Sequence, residues 1–119
     1  MKSKELNQML LDEYPELKNK FEEETSWQDG IDTGSTVVYE DVFIPFMLEH
    51  ISSQNNDSIE RDFKFIEKLA ELSNDEYVKQ VILLSIFDNL KFYDDKAEYK
   101  KWFGKKTLEL ASKNYLWYL

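Results

Sequence analysis

Apolar residues in this chain recur mostly three or four positions apart, the spacing that gathers them on one face of a helix. Leu6, Met9 and Leu10 predict a short first helix. Pro15 suits the first turn of a second, with Leu17 and Phe21 as its buried face and the run Glu22, Glu23, Glu24 at its end. Residues 25–35 carry two glycines, Asp29, Asp32 and several hydroxyls, and read as a loop anchored by Trp27. The following Ser35-Thr36-Val37-Val38-Tyr39 is β-branched enough to suggest a strand, yet no second strand pairs with it. Val38, Val42, Phe46 and Ile51 keep helical spacing, so the expectation is one helix over about 36–52, bent at Pro45, which lacks a backbone donor.

Asp57 followed by Glu60 has the form of a capping box, and two apolar stripes follow it: Ile59, Phe63, Ile66 and Ala70, then Phe65, Leu69 and Leu72. A helix with two such stripes is buried on two sides. Ser73 with Glu76 repeats the capping pattern a few residues later, which predicts a tight turn and an antiparallel partner. That partner, Tyr77 to Leu90, is apolar almost all round and reads as the central helix. Phe63, Ile66, Leu69, Val81, Ile82, Leu84 and Ile86 are its expected packing. Asp94 or Asp95 could cap a helix through Tyr99 and Trp102 that ends at Gly104. Thr107 to Tyr115 makes one more, and the apolar Tyr115 to Leu119 must dock on something. The sum is an all-α, single-domain bundle of five to seven helices over residues 1–119.

Composition narrows the chemistry. The chain has 119 residues, 42% hydrophobic and 15% aromatic, with 24 acids against 15 Lys or Arg and a net charge of −9. That content can fill a core without staples. The absence of cysteine removes disulfides, thiolate metal sites and cysteine nucleophiles. The acidic balance argues against duplex DNA or an anionic membrane as the main partner. The N-terminus lacks an apolar signal core, and the longest apolar stretch, Val81 to Phe87, is far below the roughly 18 residues of a membrane span, so the expected location is cytoplasmic.

The block from Asp57 to Leu90, DSIERDFKFIEKLAELSNDEYVKQVILLSIFDNL, resembles one helical hairpin of the HEAT-like type. Taken with VYEDVFIPFMLEHI upstream and KKWFGKKTLEL downstream, the chain resembles a family of small acidic helical proteins of Gram-positive and other bacteria. Some members of that family look like immunity proteins, which bind and neutralise a cognate toxin. The resemblance spans roughly residues 12–112 and rests on apolar and aromatic positions. It implies a helical fold and a protein partner, and it brings no catalytic motif.

Candidate chemistry is sparse. His50 is the only histidine and falls where a helix ends, a position the helix dipole favours. No glycine-flanked serine elbow or phosphate-cradling loop accompanies it. Asp29, Gly34 and Glu40 match positions 1, 6 and 12 of a calcium loop, but Ile31 and Thr33 stand where positions 3 and 5 need oxygen-rich ligands. Lys96, Lys100, Lys101, Lys105 and Lys106 lie near Tyr99 and Trp102 in the manner of a small nucleic-acid site, and read better as a solvated face. No catalytic, cofactor-binding or metal-binding residue is therefore assigned, and direct nucleic-acid binding is not expected.

Charge distribution is more informative. Residues 1–60 hold 14 acids and 4 Lys or Arg, whereas residues 61–119 hold 10 and 11. Between Lys20 and Arg61 there are ten acids and no Lys or Arg, an unbalanced field that steers a basic partner into contact. Trp27 and Tyr39 lie within it; each suits either the core or an interface anchor. The expected partner-binding residues are Glu22, Glu23, Glu24, Trp27, Asp29, Asp32, Tyr39, Glu40 and Asp41. A basic protein, of the nuclease-toxin type, is the expected partner, and the chain itself is expected to be a monomer or weak homodimer. A general interaction or homo-oligomerisation module is the alternative.

Overall fold

Two continuous helical rods organise the molecule, and each contains a π-helical turn. The first runs from α3 (Ser35–Val38) through a π turn (Tyr39–Phe43) into α4 (Ile44–Ser52). Here the strand-like Val37-Val38 is helical, as the spacing of the later apolar residues requires. The discontinuity expected at Pro45 takes the form of the π turn just upstream. A widened turn accommodates a proline ring that would otherwise press on the carbonyl one turn back. The second rod runs from α6 (Glu76–Val81) through a π turn (Ile82–Phe87) into α7 (Asp88–Leu90).

Around these rods stand α1 (Ser3–Glu13), α2 (Lys18–Thr25, entered through a 3-10 turn over Pro15–Leu17), α5 (Asn56–Ala70) and α8 (Lys105–Asn114). The computed structural model describes residues 1–90 and 98–114, with the side chains of residues 98 and 99 excepted. Among these residues there are six helical bodies and no strand, an all-α domain. Its radius of gyration, 13.6 Å, matches the roughly 13.5 Å expected of a compact chain this long. The caps suggested for residues 94 and 95, and the docking of residues 115–119, lie outside the described residues.

An aromatic cluster joins the end of α1 to the first rod and to α5. Tyr14, after α1, lies 5.6 Å from Phe43 of the first rod and 5.4 Å from Phe65 of α5, ring centroid to ring centroid. Phe43 and Phe65 close the triangle at 5.5 Å. Such pairs add about 0.5–1.5 kcal/mol each beyond the area they bury. The paired helices α5 and α6–α7 pack on each other as expected, joined by residues 71–75.

Three local expectations need correction. Leu84 is not central packing: it is 55% exposed, while Val81, Ile82 and Ile86 are buried. A helix apolar on most sides still turns one strip to solvent, and the apolar run concealed which residue lay on it. The cap of α5 is Asn55, whose side chain accepts from the Ser58 N–H, rather than Asp57. The cap of α6 is Asp75, accepting from the N–H groups of Tyr77 and Val78, rather than Ser73.

Candidate partner-binding surface

Trp27, Asp29 and Asp32 lie on a loop whose shape is set from beneath. α2 ends as the buried Thr25 hydroxyl donates to the Phe21 carbonyl at 2.7 Å. Residues 26–34 then cross the surface, with Gly30 at φ +58°, a left-handed turn that disfavours any side chain. Asn7 of α1, wholly buried, donates its amide to the carbonyls of Ile31 (3.0 Å) and Thr33 (2.7 Å). The Ser35 hydroxyl donates to the Asn7 side-chain oxygen at 2.9 Å, and the Ser35 N–H donates to the Tyr77 hydroxyl at 2.9 Å. The loop is thus pinned through buried polar bonds, which are costly to leave unmade.

Trp27 is therefore not the loop's anchor. It is 83% exposed, the most exposed large hydrophobic residue among those described, and Asn7 does the anchoring instead. Asn7 stands beside Leu6 in an otherwise apolar stripe, and that out-of-place amide was the one sequence signal for this role.

Glu22, Glu23, Asp29, Asp32, Glu40 and Asp41 all face solvent. Glu24 is half-buried and pairs with Lys20 at 2.9 Å. Lys20 shows how these acids are grouped. Its ammonium is held above its ordinary range by the Glu24 hydrogen bond first, and then by the charges of Glu24, Glu23 and Asp41. The end of α2 and the π turn of the first rod thus contribute to one negative field, with Lys20 inside it. The helix and turn pack against each other, as that shared field requires.

Tyr39 does not belong to this surface. It is fully buried, stacked on Phe65 at 6.3 Å, and its hydroxyl donates to the Leu6 carbonyl at 2.7 Å. Burial pushes its phenol well above the ordinary range. Of the two readings open for Tyr39, the structure selects core.

His50 has partners the sequence could not supply. Its Nδ1 lies 2.6 Å from Oδ2 of Asp62, which has no solvent exposure, and the Tyr14 hydroxyl donates to Oδ1 of the same carboxylate at 2.8 Å. Burial raises the Asp62 carboxyl above its usual range, against the hydrogen bonds from His50 and Tyr14. Arg61 lies 4.4 Å over the Tyr14 ring and donates to Glu16 at 2.6 Å, with a further bond to the Glu13 carbonyl. This cluster ties α4, α5 and the end of α1 together. His50 does stand in the last turn of α4, so the helix-dipole reading and the clamp coexist.

The other candidate sites disperse. Asp29 precedes the 3-10 turn Gly30–Asp32 while Glu40 lies on the π turn; no group of three His, Asp or Glu placed to hold a metal occurs among the described residues. In the basic segment, Trp102 packs against the core with Lys101 Nζ 6.0 Å from its ring centroid, and Lys106 pairs with Glu109 at 3.6 Å. Lys96 and the Tyr99 side chain lie outside the described residues. No helix among the described residues is long and apolar enough to cross a membrane.

The protein is a small all-α domain that leaves Trp27, Glu22, Glu23, Asp29, Asp32, Glu40 and Asp41 in solvent. The chain belongs to a family described as a domain of unknown function (DUF7674), whose pattern matches residues 7–118. No curated protein and no solved structure gives a significant match.

Proposed function

We propose that this chain is a non-catalytic binding protein whose acidic face captures a basic protein, acting as an immunity protein toward a bacterial toxin in the cytoplasm. One observation carries the reading: Trp27 is 83% exposed on a loop pinned by Asn7, in a stretch of chain whose Glu22, Glu23, Asp29 and Asp32 are also exposed. An exposed indole has little stabilising role in the free chain, and aromatic anchors of this kind supply affinity when a partner buries them. The surrounding carboxylates would set the encounter rate. A toxin cleft that handles nucleic acid is lined with Lys and Arg, and a dense carboxylate surface mimics what that cleft binds.

The test is co-expression with the product of the adjacent reading frame. That product alone should arrest growth, and this chain should restore it. Reversing the charges of Glu23, Asp32 and Asp41 together should abolish protection while the circular dichroism spectrum stays helical. Protection that survives the triple reversal would remove the acidic face from the interaction.

A further inference from the structure

The two π turns meet. Residues 39–43 pack against residues 82–87, and the Ser85 hydroxyl donates to the Thr36 carbonyl at 2.8 Å. That bond brings the rods together one residue away from Val37 and from Leu84. Both are large apolar side chains left in solvent, Val37 at 39% and Leu84 at 55% exposed. Leu84 stands out because Ile82, Ser85, Ile86 and Phe87 of the same π turn are all buried. π turns shift side chains relative to a regular helix and recur at functional sites.

The setting of Val37 is acidic. Glu40 and Asp41, one turn beyond Val37, are exposed on the first rod. Across both rods, residues 35–52 and 76–90, there are five carboxylates and a single lysine, Lys79. A second copy of this chain is a poor occupant, since it would bring the same carboxylates against themselves. A positively charged helix with its own apolar stripe meets both features at once, with aliphatic residues on Val37 and Leu84 and lysine or arginine on Glu40 and Asp41.

We propose that the face formed where the two π turns meet, around Val37, Glu40, Asp41 and Leu84, docks a basic amphipathic helix of the partner protein. This rests on the reading that the partner is basic and names the part of it that is held. Trp27 and the carboxylates of α2 and its loop then act as a second point of contact.

The experiment uses the full chain and a labelled synthetic helix of about five turns, ~18 residues, with leucines at helical spacing and lysines elsewhere. A control peptide keeps every lysine and replaces each leucine by glutamine. Fluorescence anisotropy should show the leucine peptide binding at least about tenfold more tightly than the control. The double variant Val37→Ser with Leu84→Ser, whose sites are exposed enough to leave folding intact, should lose that difference. Equal affinity of wild type and double variant for the leucine peptide would overturn the proposal. So would a wild-type dimer, seen by sedimentation, that Leu84→Ser dissociates, because the face would then belong to a second copy. If both peptides bind equally and charge reversal at Glu23, Asp32 and Asp41 releases both, the docking face fails while the acidic-surface reading stands. If the leucine peptide binds through Val37 and Leu84 but the adjacent gene product does not bind, the docking face stands and the toxin reading fails.

Discussion

Nδ1 of His50 lies 2.6 Å from Oδ2 of Asp62, a carboxylate with no solvent exposure whose other oxygen accepts from Tyr14 at 2.8 Å. The pair fastens the last turn of α4 to the middle of α5, and Tyr14 extends the tie to the end of α1. Removing His50 leaves one oxygen of this buried carboxylate without its partner, while Tyr14 still satisfies the other. His50→Ala should therefore destabilise the domain by about 1–3 kcal/mol in urea unfolding. Asp62→Asn, which keeps the shape and some hydrogen bonding, should cost less. A His50→Ala variant within about 0.5 kcal/mol of wild type would show that the clamp contributes little.

Glu16 and Arg61 give the fold a mild acid sensitivity. The Arg61 hydrogen bond holds the Glu16 carboxyl below its ordinary 4.5. A depressed folded-state value means that the pair stabilises above the unfolded value and that this contribution is lost as pH falls through the lower folded one. The partners are 41% and 47% exposed, so the effect should not exceed about 1 kcal/mol. Melting temperatures of wild type and Glu16→Gln should differ at pH 6 and converge near pH 3. A difference that persists unchanged at pH 3 would assign the effect to something other than this pair.

Within the second rod, neighbouring aliphatic residues should behave differently. Ile82 is fully buried, so Ile82→Ala should cost about 2–5 kcal/mol. Leu84, at 55% exposure, should cost under about 1 kcal/mol as Leu84→Ala. Comparable losses at the two positions, read from denaturant midpoints at constant slope, would contradict the orientation of this rod.

Glu67 and Gly104 should be coupled. Glu67 caps α8, accepting from the N–H groups of Lys106 (3.0 Å) and Thr107 (2.9 Å) and from the Thr107 hydroxyl (2.8 Å), and its side chain fills the space a Cβ at Gly104 would occupy. Gly104→Ala should displace this cap and cost about 1–2 kcal/mol. In a Glu67→Ala background the same substitution should be close to neutral. A full cost in both backgrounds would break the coupling.

The helical class was legible because most core positions repeat at three and four, and because the β-branched Val37-Val38 had no partner strand. Exposure within an apolar run was not legible. Ile82, Leu83 and Leu84 read alike in sequence, and only the packing of the second rod against the first decides which one faces water. The caps failed for a related reason: Asp57 and Ser73 each stand three residues before a glutamate, whereas the true caps, Asn55 and Asp75, stand before Ser58 and Val78. On the surface, the acids were visible as a stretch without Lys or Arg, whereas Tyr39 could be assigned to the core only once Phe65 and the Leu6 carbonyl were seen against it. Asp62 as the partner of His50 lies 12 residues away on another helix, beyond any local pattern.

The acidic face around Trp27 is best tested by the association rate of this chain with the partner recovered through the adjacent reading frame, measured by stopped flow in wild type and in the Glu23, Asp32 and Asp41 charge-reversal variant. Raising salt from about 50 to about 500 mM should slow wild-type association by on the order of tenfold or more and change dissociation far less, because screening acts on long-range steering. The variant should associate slowly at both salt concentrations. A wild-type rate insensitive to salt, or a variant that associates as fast as wild type, would contradict the acidic face as the binding surface.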